Sequence, residues 1–204
     1  MKLYVTFTSP YARMVRIVIL EKGLQSRVEI LKAQTRQTDS PYYSINPSGR
    51  VPYLIRDDGV AMEDSQLICA YLDHLDGSPL FDHPSGRAGW ESRRLEALTR
   101  SLMEGLCVWG RVLVLPEDER SPTVIEHERQ RSRRMINLLE SEIDHPLLNG
   151  DFNLVQISLV CALQLERRNP DIQWRQGHPR LSEWADMLDE RESIADTIPP
   201  LKQI

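Results

Sequence analysis

A Val-Pro step at residues 51–52 opens a short strand-like run, Tyr53 to Arg56, and this junction constrains the fold more than any other part of the chain. X-Pro is the one peptide bond that commonly takes the cis form, usually in a tight turn, so Val51-Pro52 is a candidate cis peptide. Such a turn can face the backbone groups of Val51 outward, where an extended peptide could pair with them. Farther on, Asp64-Ser65 precede Leu67, Ile68, Tyr71, Leu72 and Leu75, which share one helical face. A helix N-terminus carries free N–H groups and the positive end of the dipole, so it suits a carboxylate. One segment is therefore fitted to a small peptide's backbone and the next to its terminal carboxylate.

The surrounding elements follow from punctuation and periodicity. Lys2 to Phe7 reads as a first strand, and Thr8-Ser9-Pro10 marks a helix start. Ser9 is a good N-cap, and Pro10 fits the first helical position, where its missing N–H costs nothing. Ala12, Val15, Val18 and Ile19 supply the apolar face, and Gly23 is a natural stop. Val28 to Leu31 predicts a second strand, and the polar stretch 33–48, with Pro41, Asn46 and Pro47, a loop holding a short helix. Asp57-Asp58-Gly59 is a turn between the third strand and a short fourth, Val60 to Glu63. A helix from Ser65 to about His74 completes a βαβαββα order, which predicts a mixed sheet in a thioredoxin-like half.

Gly77 to Gly86 reads as a linker, beyond which strand patterns fade. Helices are expected over Trp90 to Leu115, ended by Pro116, and over Pro122 to Ile143, Asn153 to Arg168 and Pro179 to Glu192. The third is apolar through its middle, as a buried central helix would be. The expected domains are residues 1–77, α/β, and residues 86–204, all-α.

Composition narrows the function classes. A net charge of −5 argues against general affinity for nucleic acid. No apolar run approaches a membrane span, and Met1 to Phe7 is too short and strand-like for a signal peptide. Cys69, Cys107 and Cys161 are far apart in helix-like stretches, so buried reduced thiols in a cytoplasmic protein are expected. His74, His83, His127, His145 and His178 form no zinc-site spacing, so no metal is expected. The arginines from Arg129 to Arg134 are flanked by Glu126, Glu128, Glu140 and Glu142, which reads as a solvated helix face.

The stretch Gly49-Arg50-Val51-Pro52-Tyr53-Leu54, followed by Asp64-Ser65, resembles the glutathione site of the glutathione transferase family. That family shows a Gly-(Lys/Gln)-Val-Pro-x-Leu stretch and then a (Glu/Asp)-Ser pair opening a helix. The resemblance extends over nearly the whole chain in length and order of elements. It implies a thioredoxin-like domain before an all-helical one, glutathione as co-substrate, and a homodimer.

By resemblance, Ser9 is the hydroxyl that contacts the glutathione sulfur, with Thr8 a nearby competitor. Val51 and Pro52 would hold the cysteinyl backbone, Ser65 the γ-glutamyl carboxylate and Asp64 the α-ammonium. Arg50, or less directly Lys32, would attract the glycyl carboxylate. Tyr11, Met103, Cys107 and Trp109 become possible contacts for an apolar electrophile. Each has a plainer reading: Ser9 caps a helix, Asp64-Ser65 start one, Arg50 is a solvated charge, and the Met and aromatic residues are core.

The implied reaction is attack by the thiolate. A free thiol has a pKa near ~8.5, and lowering it by roughly two units, about 2.7 kcal/mol, raises the neutral-pH thiolate fraction by about tenfold or somewhat more. Any greater acceleration must come from positioning the electrophile. Ser9-Pro10-Tyr11 is similar to the Cys-Pro-(Phe/Tyr) start of omega-type transferases, but a hydroxyl cannot form a mixed disulfide, so disulfide reduction through residue 9 is disfavoured. A non-catalytic binding or regulatory protein of the same fold, and a glutathione-dependent peroxidase, are the alternatives. The family's Ser/Thr-x-x-Asp box on its central helix is here Asn153-Leu154-Val155-Gln156, whose ends can both serve in a capping box.

Overall fold

The computed structural model describes residues 1–201, which divide into two compact units. Among the described residues the first comprises 1–82 with 192–201; the second is His83–Arg191.

The first unit is built on a four-stranded mixed sheet of order β2-β1-β3-β4. Its strands are β1 (Lys2–Val5), β2 (Glu29–Lys32), β3 (Tyr53–Ile55) and β4 (Ala61–Glu63). β1 pairs parallel with β2 and antiparallel with β3, and β3 pairs antiparallel with β4. The parallel pair needs a crossover, which α1 (Pro10–Glu21) supplies. α2 (Ser65–Asp73) follows β4 and packs on α1. Leu3 and Val5 of β1, Leu54 of β3, Val15 and Val18 of α1 and Ile68 and Leu72 of α2 are wholly buried between these layers. Each contributes about 1.5–3 kcal/mol by leaving water.

The second helix of the expected βαβαββα order is a single 3₁₀ turn, Pro41–Ser44, capped by Ser40. Pro47 and the left-handed Gly49 (φ +66°) leave no room to extend it. α1 ends as the pattern predicts, with Gly23 at φ +62° just past the cap residue Lys22. The short helix α8 (Glu192–Ala195) belongs to this unit and lies against α1. Arg13, only 2 % exposed, ties it there by donating to the Ile194 carbonyl (3.0 Å) and the Thr197 hydroxyl (3.2 Å).

The second unit is all-helical: α3 (Gly86–Leu113), α4 (Pro122–Ser141), α5 (Pro146–Asn149), α6 (Leu154–Leu163) and α7 (Pro179–Asp189). All ten residues of α6 are buried, as its uniform apolar run requires, and α3 and α4 pack around it or each other. Asn153 caps α6 through its side-chain oxygen, which accepts from the Val155 N–H (2.9 Å) and the Gln156 N–H (3.3 Å). Gln156 does not complete the expected capping box. Its buried amide turns to the preceding loop and donates to the carbonyls of Leu147 (3.2 Å) and Leu148 (3.1 Å). The Leu147 carbonyl also accepts from the Asn153 amide and the Leu148 carbonyl from the Trp184 indole N–H (both 2.8 Å), so the gain is to the buried Gln156 amide itself, whose N–H groups find acceptors there.

Among the described residues no helix is long and apolar enough to cross a membrane. None of the three cysteines forms a disulfide; Cys69 and Cys161 are buried and Cys107 is half-buried.

Asn153→Ala removes the α6 cap and the amide that donates to the Leu147 and Asp151 carbonyls (both 2.8 Å). It should lower stability by about 1–2 kcal/mol, read as a lower urea midpoint, and Asn153→Ser should recover much of the loss.

Candidate functional site

Strand register decides which candidate residues meet. Tyr4 pairs with Tyr53, and Tyr53 pairs with Glu63, so these three residues form one row across the sheet. β3 runs opposite to β1 and β4. The row therefore sits at the C-terminal ends of β1 and β4 and the N-terminal end of β3. The chain leaving β1 leads to Ser9, the chain entering β3 brings Arg50, Val51 and Pro52, and the chain leaving β4 leads to Asp64 and Ser65. All six of these candidates lie at one end of the sheet. Lys32, at the end of the parallel strand β2, shares that end but is exposed on the far side of β1.

Ser9 is half-buried, and its hydroxyl oxygen accepts the Ala12 N–H at 3.2 Å. Capping uses an acceptor lone pair and leaves the O–H proton to donate, so cap and thiol contact are compatible in one side chain. The positive end of α1 lies at the same place. Thr8 precedes the cap, outside the helix. Tyr11, half-buried, occupies the first turn of α1.

The Val51-Pro52 bond is cis. Among the described residues, no group pairs with the N–H or the carbonyl of Val51, although Pro52 is buried. Just upstream, the Tyr42 hydroxyl donates to the Arg50 carbonyl at 2.6 Å. Burial pushes the Tyr42 phenol up to about 12, so it is a protonated donor at neutral pH. Arg50 itself is exposed. Gly49 is required twice over: its φ is +66°, and a Cβ there would come within 2.7 Å of the Tyr43 ring.

Asp64 and Ser65 form the other half of the site. Asp64 has φ +82°, a conformation that costs a non-glycine residue about 1–3 kcal/mol. Its carboxylate oxygen accepts from the N–H groups of Gln66 (2.9 Å) and Leu67 (3.1 Å), which offsets part of that cost. Ser65, the first residue of α2, has an N–H with no acceptor in the helical ladder. Its hydroxyl oxygen is buried and has no hydrogen-bond partner among the described residues. A buried unpaired hydroxyl costs about 1–3 kcal/mol, so an incoming acceptor gains what the protein forgoes. Strain at one residue and an unsatisfied hydroxyl at the next are the features that sequence reading missed; the Asp-Ser pair gave the position but neither property.

In the second unit, Met103 is fully buried and Trp109 is 6 % exposed, so both serve the packing of α3. Cys107, on the same helix, is half-buried. In the second unit, His178 bonds the Trp174 carbonyl and Asn137 (both 2.6 Å), and His83 meets Ser92 (2.8 Å) and Glu96 (3.0 Å).

Comparison with known proteins gives a consistent picture. Residues 3–80 match the family model for the glutathione S-transferase N-terminal domain, and residues 122–186 the model for its C-terminal domain. The uncharacterized GST-like protein YibF of Escherichia coli is 29 % identical over 202 residues, covering 98 % of this chain and 99 % of its own length. A glutathione transferase family member from Pseudomonas fluorescens, solved with bound S-(propanoic acid)-glutathione, is 32 % identical. It superposes with a TM-score of 0.86 over 98 % of this chain and 100 % of that one. A glutathione S-transferase from Methylobacillus flagellatus with glutathione bound is 29 % identical, with a TM-score of 0.85 over 98 % of this chain and 99 % of that one.

Gly49→Ala should destabilise the chain by about 2–3 kcal/mol, because it incurs both the positive φ and the clash with Tyr43. Gly59→Ala, at φ +83° with nothing within 4 Å of its Cβ, should cost only about 1 kcal/mol. Calorimetric melts of the two variants check the order.

Proposed function

Because the chain belongs to the glutathione S-transferase family, we propose that it binds reduced glutathione at the shared end of β1, β3 and β4 and joins the glutathione sulfur to a small electrophile. The observation that carries this reading is the convergence, in one row of the sheet, of a capping hydroxyl, an unpaired Val51 backbone and a helix start with an unsatisfied serine. Glutathione bound in similar structures supports the same ligand here.

In this reading the extended tripeptide pairs with Val51 through its cysteinyl backbone. The γ-glutamyl carboxylate takes the Ser65 hydroxyl and N–H at the start of α2. Asp64 faces the α-ammonium, and Arg50 draws the glycyl carboxylate. The thiol then lies by Ser9, whose O–H donates to the sulfur while its oxygen keeps the Ala12 N–H. A donated hydrogen bond and a helix N-terminus both favour thiolate over thiol. The thiolate forms a new S–C bond with the electrophile. The carbon either expels a leaving group or, in addition to a double bond, passes the electron pair to the next carbon, which takes a proton. Tyr11, on the α1 turn that Ser9 caps, is the candidate contact for the electrophile in this unit. A homodimer and a cytoplasmic setting belong to the same family-level reading.

The pH dependence has a definite sign. The bound thiol's pKa is depressed below its usual ~8.5, so turnover rises with pH through that lowered value and levels off above it. Ser9→Ala should move the rise upward by about one to two pH units and cut kcat at neutral pH by about tenfold, with the glutathione Kd within about threefold. Ser65→Ala should weaken glutathione binding by about tenfold and change kcat less. Wild-type behaviour in both variants would sink the assignment. Tight glutathione binding without turnover of any electrophile would instead assign a binding role.

A further inference from the structure

The two ligand-holding segments of the first unit are tied together by a buried side chain that has no place in the chemistry so far. Asn46, 3 % exposed, donates through its amide nitrogen to the Arg50 carbonyl (3.0 Å) and to the Glu63 carboxylate (2.9 Å). Those two bonds use both amide protons. Its oxygen accepts the Ser48 N–H (3.1 Å), and the Ser48 hydroxyl in turn bonds the same Glu63 oxygen and accepts the Arg50 N–H (3.1 Å). The Tyr42 hydroxyl supplies a second donor to the Arg50 carbonyl.

The consequence lies in the Arg50-Val51 peptide plane. A trans peptide is planar, with its C=O and N–H pointing in opposite directions. The Arg50 carbonyl is drawn inward by Asn46 and Tyr42, so the Val51 N–H of the same plane is directed away from them. That N–H has no partner among the described residues. At its other end the network holds Glu63, the last residue of β4, immediately before Asp64 with its left-handed backbone. One amide thus fixes the orientation of the first segment and its spacing from the second.

We propose that Asn46, assisted by Tyr42 and Glu63, is the positioning group of the glutathione site: it aims the Val51 N–H and sets its distance from the start of α2. The inference rests on the glutathione reading above. None of the three touches the reacting atoms; they act through Val51 and Asp64. Loss of Asn46 therefore acts on ground-state and transition-state binding of the tripeptide alike, which raises KM and leaves kcat nearly intact.

The test is calorimetric titration of reduced glutathione into the wild-type chain and its variants, with steady-state kinetics and a thermal melt of each. Asn46→Ala should raise the glutathione Kd and KM by about tenfold or more, with kcat at saturating glutathione within about threefold. Glu63→Ala should also weaken binding, and Glu63→Gln, which keeps an acceptor oxygen, should recover most of that loss. Where Asn46→Ala fails to fold, Tyr42→Phe carries the test, since it deletes only one donor to the Arg50 carbonyl and should raise Kd several-fold. Wild-type affinity in a folded Asn46→Ala or Tyr42→Phe chain, or a fall in kcat with unchanged KM, overturns the positioning role while the glutathione reading stands. No binding of glutathione by the wild-type chain overturns both.

Discussion

The antiparallel register of β3 with both its neighbours is the constraint on which the candidate site depends. Pairing of Tyr4 with Tyr53 and of Tyr53 with Glu63 places three chain ends side by side. A slip of β3 by one residue would turn Leu54 out of the core and away from Leu3, so burial of this pair locks the row. The site residues are far apart in sequence and polar. Their meeting is enforced by apolar residues that take no part in any chemistry.

Chemistry enters where the helices begin. Ser9 and Asp64 each close a helix terminus with a side-chain oxygen, and each sits where a charged ligand gains from the terminus. The hydroxyl that caps α1 accepts through its oxygen and keeps its proton to donate. The residue that caps α2 accepts a strained backbone, and its neighbour Ser65 keeps an unsatisfied hydroxyl. Site residues of this kind lower stability locally and are held in place by the rest of the structure.

Much of this was legible in the sequence because capping, proline and turn signals are local. Ser9-Pro10 announced α1, Asp64-Ser65 announced α2, and Val51-Pro52 announced the turn into β3. What stayed hidden depends on contacts across the fold. The amide of Asn46 acquires its role only when Glu63 is brought beside it, seventeen positions along the chain. The burial of Arg13 depends on residues 194 and 197 reaching back to α1. The short helix expected in the 33–48 loop is one 3₁₀ turn, Pro41–Ser44; its length depends on the left-handed Gly49 that follows, which the sequence pattern alone does not reveal. Gln156 was read as half of a capping box from spacing alone, and burial sent it to the loop carbonyls instead.

A crystal structure of the chain with reduced glutathione tests the central claim most directly. The account predicts the cysteinyl backbone paired with Val51, the γ-glutamyl carboxylate on the hydroxyl and N–H of Ser65, and the sulfur within hydrogen-bond reach of the Ser9 hydroxyl. A tripeptide bound away from the Tyr4–Tyr53–Glu63 end of the sheet, or seated there with its sulfur turned from Ser9, would contradict it.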